Sequence, residues 1–236
     1  MTQQDMSEAR FYLPDHKIDD VGKFLRRIAY FWTAISFIIV QRWVKISRED
    51  VYLLDVASES NIWTWLNVVY MVLAAASLYA IAYMRRQNGA VFKGWGLTAT
   101  AILLLSLDDM ISIHERLEVV GLTMGGGSGF LHFAWVIPGM IVAAVLLAIF
   151  TLTIRSASAP ARRGFALGIA MFFGGAFGLE MVSGAILSSY GPYGFYAAFY
   201  HVEELLEAVG MVFILCAALK ELSRHGRGSG FHPAVA

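Results

Sequence analysis

Apolar residues in this chain gather in long runs, without the period-two alternation of a half-buried strand. Six runs stand out: Ile28–Ile46, Ile62–Met84, Trp95–Ile113, Phe130–Ile154, Phe165–Leu187 and Ala197–Leu219. Each supplies roughly 19–25 residues, which at ~1.5 Å per residue matches the ~30 Å hydrocarbon core of a bilayer. The pattern predicts an all-α polytopic membrane protein with six transmembrane helices in an antiparallel bundle. The first run is the most polar, with Arg42 and Lys45 near its end. Residues 1–27 read as a cytoplasmic amino-terminal segment and 28–220 as the membrane domain, with its core in spans 3–6 (95–219). Residues 221–236 read as a flexible cytoplasmic tail.

The segments between the runs carry their own expectations. "SREDVYLLDVASESN" fits either a short amphipathic helix on the outer surface or an ordered loop. "GLTMGGGSG" lacks the Lys-Ser/Thr ending of a phosphate loop and reads as a flexible linker. Tyr190, Tyr193, Tyr196 and Tyr200 read as an interfacial aromatic belt. Gly174 and Gly178 form a small-xxx-small face that makes span 5 the expected central helix.

Composition agrees with this class. The chain is 58% hydrophobic, above the ~45–50% of soluble domains. Fourteen of the eighteen Lys and Arg fall in the amino-terminal segment, the second and fourth loops and the tail. The positive-inside rule then places both termini in the cytoplasm and the protein in an inner or plasma membrane. Net charge is zero, so nothing suggests nucleic acid as a partner; the bilayer is the expected one, with a membrane partner subunit or homo-oligomer left open. The single cysteine, Cys216, excludes an intrachain disulfide and reads as a small core residue.

The candidate chemistry lies where the apolar runs contain acids. Helix rise puts Asp108 and Asp109 ~20 Å up span 3, Glu180 ~22 Å up span 5, and Glu203 and Glu204 ~10 Å below the outer end of span 6. Glu207 lies near mid-membrane, while His114, Glu115, His132 and His201 come close to the outer level. Four helices thus supply ionisable groups at a shared depth. A carboxylate at a span centre costs ~2.5–3.5 kcal/mol on insertion scales, so six of them cost on the order of 10 kcal/mol gross. Between Trp95 and Leu219 the only Lys or Arg residues are Arg116, Arg155, Arg162 and Arg163, all at span ends. Counter-charge must come from protons, histidines, basic loop residues or a bound cation.

Carboxylates with imidazoles on facing helices are how bundles hold iron and manganese. Oxygen and imidazole donors suit iron, manganese or zinc, and the absence of thiolates disfavours softer metals. The expected ligands of such a divalent metal are Asp109, Glu180, His201, Glu204, His114 and His132. Asp108 and Glu115 are seven residues apart and nearly eclipsed on one helix; they are expected to support the site or relay protons, together with Glu203 and Glu207. An outer-face metal would serve hydrolysis or oxidation of a lipid-like or small substrate. Two alternatives stay open: a proton- or cation-coupled transporter or channel, and an accessory subunit held together by a hydrogen-bonded acid network. "DMIS" from Asp109 is echoed by "EMVS" from Glu180, which suggests a tandem repeat of spans 3–4 and 5–6.

Overall fold

The computed structural model describes residues 13–41, 47–192 and 194–228. Arg42, Lys45 and Tyr193 lie outside the described residues. Among the described residues ten α-helices form: α1 (Asp15–Val40), α2 (Arg48–Leu54), α3 (Ile62–Gln87), α4 (Lys93–Ile111), α5 (Ile113–Arg116), α6 (Glu118–Thr123), α7 (Val136–Ser156), α8 (Ala159–Phe173), α9 (Glu180–Tyr190) and α10 (Phe195–Gly228). A π-helical turn, Gly174–Leu179, joins α8 to α9. Among the described residues there is no strand beyond an isolated bridge between Ser128 and Leu131.

Four of these elements are long and apolar enough to cross a membrane: α3, α4, α7 and the continuous Ala159–Tyr190 unit. α1 and α10 are as long but more charged. Every 18-residue stretch of α10 holds at least three charged residues. α10 tolerates them because it runs through the middle of the bundle, packed against α1, α3, α8, the π turn and α9. Ala208, Val209, Met211, Val212 and Ile214 are all at most 2% exposed. The central helix is therefore the sixth apolar run, where the glycine pattern pointed to the fifth. α10 also stays helical to Gly228, inside the segment expected to be a tail, and α1 begins at Asp15, inside the expected polar amino-terminal segment.

Local chemistry explains the ends. Ser47 caps α2 by accepting the Asp50 N–H at 3.0 Å, and Asn61 caps α3 by accepting the Thr64 N–H at 3.1 Å. So "SREDVYLLDVASESN" yields the short helix. α3 closes with Arg85 and Arg86 in its last turn, favourable to the helix dipole. Gly89 follows at φ +65°. Its N–H reaches the Arg86 carbonyl, which turns the chain tightly into α4.

Small residues set the closest contacts, at positions shifted from the expected ones. A Cβ on Gly168 would stand 2.6 Å from the Gly210 carbonyl oxygen, and one on Gly210 2.7 Å from that of Gly168. α8 and α10 thus touch backbone to backbone. A Cβ on Gly175 would meet the Glu203 carbonyl and Glu207 Cγ, both at 2.9 Å, whereas Gly174 and Gly178 face open space. The π turn widens the helix by one residue and moves the contact face from Gly174 to Gly175. "GLTMGGGSG" is likewise a packed turn and not a loose linker: a Cβ on Gly121 would lie 1.8 Å from the Ala134 carbonyl oxygen. Cys216 is buried, as expected of a core residue.

Basic residues mark one end of the bundle. There Arg85 Nη1 lies 3.3 Å from His225 Nε2, Glu221 accepts the Ser158 N–H and Lys220 pairs with Asp19. α4 and α7 meet near this end, through Gly94 against Leu152 and a 2.7 Å hydrogen bond between Thr98 and Thr153. The opposite end carries the acids. Its two hairpins differ locally: Asp109 sits on regular α-helix, while Glu180 follows directly on the π turn.

Candidate functional site

The acidic end is organised by a break in the third apolar run. Ser112 adopts φ +52° and ψ +51°, the left-handed region, so α4 stops at Ile111 and α5 leaves in a new direction. The Asp108 carboxylate receives the emerging chain. Oδ1 accepts the His114 backbone N–H at 2.7 Å, and Oδ2 accepts from His114 Nδ1 at 3.1 Å. The ring lies 4.7 Å from the Trp135 ring. Because Nδ1 is committed to a carboxylate, Nε2 is the nitrogen left for a ligand. The break also means that Asp108 and Glu115 do not stack along one helix face, although both reach the same place.

The α2–α3 connection brings in a residue the sequence reading left out, Glu59. The Tyr52 hydroxyl donates to the Glu59 carbonyl at 2.6 Å. Ser60 takes φ +58° and donates to the Met110 carbonyl at 3.3 Å. Asn61 Nδ2 ties down the Tyr52 and Asp55 carbonyls. The result sets Glu59 against α5, where the ligand atoms of Glu59, His114 and Glu115 all lie within 4.8 Å of one another. Burial pushes the Glu59 carboxyl up to about 7, with the His114 ring opposing and Glu115 and Asp108 reinforcing the rise. Burial lowers the His114 pKa, but the hydrogen bond and charge of Asp108, together with the charges of Glu59 and Glu115, outweigh it, and the net shift is upward.

Behind this mouth lies a cavity of about 690 Å³, within the ~300–1,000 Å³ range of ligand sites. Nine carboxylates line it: Glu59, Asp108, Asp109, Glu115, Glu118, Glu180, Glu203, Glu204 and Glu207. His114 is the one histidine, and no Lys or Arg takes part, among the described residues. Several acids are held by donors. Trp63 Nε1 donates to Glu204 Oε2 at 2.8 Å, Trp135 Nε1 to Glu180 Oε1 at 3.2 Å, and the Ser183 hydroxyl to Glu203 Oε2 at 3.2 Å. The Trp135 backbone N–H donates to Glu118 Oε2 at 2.9 Å. Among the described residues, Glu59 Oε2 and Asp109 Oδ2 are buried with no hydrogen-bond partner. Toward the basic end the lining becomes apolar, with Met71, Ala101, Leu105, Leu146, Phe172 and Phe173.

Of the expected ligands, the structure brings Asp109, Glu180, Glu204 and His114 to this cavity, with Asp108, Glu115, Glu203 and Glu207 beside them. It does not bring His201 or His132. His201 Nδ1 donates to the Ala197 carbonyl at 2.6 Å, so Nε2 is the acceptor facing the Ser36 hydroxyl at 3.0 Å. Ser36 in turn accepts the Val56 N–H at 3.0 Å. Both ring nitrogens are used, and the ring stacks on Tyr200 at 4.4 Å. Residues three apart on a helix diverge by ~60°, enough here for Glu204 to face the cavity while His201 faces α1. His132 packs edge-on to Phe133, with its Cβ over Gly184. Tyr196 and Tyr200 line the cavity rather than joining an aromatic belt, while Tyr190 is 81% exposed.

Sequence signals for the omitted parts are weak. Glu59 sits among small residues in a loop, and only the capping asparagine after it hints at a fixed geometry. Trp63 and Trp135 begin apolar runs, where tryptophan is ordinarily an interfacial residue. No curated protein and no solved structure matches the chain. From Arg26's neighbour Leu25 on α1 to Glu221 on α10, the segment containing every residue of this cavity follows one family pattern: over residues 25–221 the chain belongs to the family described as a domain of unknown function (DUF8692).

Proposed function

We propose that this is a six-span membrane protein that binds a divalent metal ion in a His/carboxylate cavity near the outer face. α1, packed on α10, and α10 itself, packed among α3, α8 and α9, complete the set of spans. The positive-inside bias puts the basic end and both termini in the cytoplasm. In this reading Glu59, His114 (through Nε2) and Glu115 are the first ligands, Asp108 orients His114, and Asp109 stands behind with an open oxygen. The observation that carries it is the joint one at the mouth: three ligand atoms within 4.8 Å and two buried carboxylate oxygens without a partner among the described residues. Oxygen and imidazole donors favour iron, manganese or zinc. A bound metal would offset acidic charge and act as a Lewis acid, which suits hydrolysis or oxidation of a lipid-like or small substrate.

The transporter reading draws on Glu203, Glu204 and Glu207, which extend the acidic lining inward. The apolar residues beneath Glu207 interrupt a polar path to the basic end, so the site reading is preferred. Titrating metal-stripped protein in detergent with Mn²⁺ or Zn²⁺ tests it. Saturation at ~100 times Kd stabilises a folded state by about 2.7 kcal/mol, so the wild-type Tm rises by several degrees while that of Glu59→Gln stays flat. Equal shifts in both proteins refute the assignment.

A further inference from the structure

The cavity has a second half that a metal ion does not use. α4 and α7 touch near the basic end, at Gly94–Leu152 and Thr98–Thr153. Farther along, Leu104 and Leu107 on α4 and Val142 on α7 line the cavity and are 60%, 47% and 50% exposed. A residue that both lines a cavity and is half exposed stands at its rim, so the two helices open as a V. Leu104 lies ~16 Å along α4 from Lys93, a level that lies in hydrocarbon once these helices are placed in a bilayer. The V therefore faces lipid chains and not water. Its floor is Met71, Ala101, Leu105, Leu146, Phe172 and Phe173, and its ceiling is the carboxylate belt, including the unpartnered Asp109 Oδ2.

We infer that the V between α4 and α7 admits the hydrocarbon chain of a membrane amphiphile whose head bears N–H or O–H donors and no anionic group. The inference rests on the proposed placement of the cavity in the outer half of a membrane and deepens it by naming the class of ligand. Charge decides the head. Nine carboxylates and, among the described residues, no Lys or Arg line the space, and a divalent ion would offset two negative charges. A phosphate or carboxylate head would be desolvated among like charges with no Lys or Arg partner among the described residues. An amine or hydroxyl head instead supplies donors to oxygens such as Asp109 Oδ2 that lack them. Shape decides the tail: the apolar floor continues directly from the acids, and the open side lets a chain enter laterally without leaving the bilayer.

Native mass spectrometry of the full chain, chelator-treated and released from micelles, tests this with hexadecylamine, hexadecanol, hexadecyl phosphate and octylamine at equal concentration. The amine and the alcohol remain bound, and the phosphate is retained at least about tenfold less, as expected for an unpaired buried anion. Octylamine is retained less than hexadecylamine. Ala143→Phe fills the floor between α4 and α7, and Val142→Trp narrows the exposed rim with little risk to folding. Both lose the hexadecylamine adduct, while Leu167→Trp, on the lipid face of α8, keeps it. Equal retention of phosphate and amine, or an adduct unaffected by both cavity variants, overturns the inference. Metal uptake measured on the same preparations separates the two readings. Protein that keeps the amine but takes up no metal sinks the metal site alone. Protein that takes up metal but keeps no amine sinks this inference alone.

Discussion

Asp108 makes a quantitative test of how the mouth is built. Its carboxylate accepts two bonds from His114, one from the backbone at 2.7 Å and one from Nδ1 at 3.1 Å. Asp108→Asn keeps the size and one acceptor oxygen but turns the other position into a donor. The ring then loses its charge-assisted partner or α5 loses its anchor, since one oxygen cannot serve both at their present positions. Partners of this kind behind a metal-binding histidine are worth 10–100-fold in affinity, or about 1.4–2.7 kcal/mol. The Asp108 side chain is 27% exposed, and solvent screening places the effect toward the lower limit, about tenfold. Mn²⁺ affinity can be read from the free-ion paramagnetic resonance signal of the detergent-solubilised chain. Asp108→Asn is expected to weaken binding about tenfold, with a Tm loss corresponding to ~1 kcal/mol from the lost cap. Unchanged Mn²⁺ affinity in a folded variant refutes the claim that Asp108 holds His114 for a metal.

Further outcomes follow from other contacts. Gly168→Val places a side chain 2.6 Å from the Gly210 carbonyl oxygen and should lower Tm by the equivalent of about 1–3 kcal/mol or more. Gly174→Ala, which meets nothing within 4 Å, should be neutral or slightly stabilising in the same melt. His201→Ala removes two hydrogen bonds and should destabilise by roughly 1–3 kcal/mol while leaving Mn²⁺ affinity unchanged; a large affinity loss would restore His201 as a ligand. Glu59 has its folded pKa raised to about 7 from 4.5. Its contribution to stability is thus fully present below 4.5 and lost as pH rises through about 7. In metal-free protein, the Tm of Glu59→Gln minus that of wild type should therefore grow from pH 5 to pH 8; a constant difference contradicts the burial of Glu59.

Much of the site was legible because helix rise converts sequence position into depth. Helix rise puts Asp109, Glu180, Glu203 and Glu204 near one level and Glu207 somewhat deeper, and all five line one cavity. Azimuth was less legible. α10 is enclosed along most of its length, with Val202 exposed, and has no apolar stripe to orient it, so His201 and Glu204 could be assigned one face although they point to different neighbours. Two local backbone events are also silent in a hydrophobicity pattern. The left-handed turn at Ser112 redirects α5, and the π turn at Gly174–Leu179 moves the close contact to Gly175. Both occur at the acidic cavity, and both involve residues that a regular helix would also accept. Glu59 was missed for a different reason: its position depends on four loop hydrogen bonds, from Tyr52, Ser60 and Asn61, none of which follows from periodicity.

The central claim is that the mouth of the acidic cavity holds a metal ion through Glu59, His114 and Glu115. Elemental analysis of the purified full chain tests it most directly, alongside a folded Glu59→Gln/His114→Gln double variant with the wild-type elution profile. The account predicts about one iron, manganese or zinc ion per wild-type chain, retained through size exclusion because the ligands are pre-positioned, and a near-complete loss in the double variant. Wild-type protein without stoichiometric metal after reloading, or equal metal content in both proteins, would contradict it.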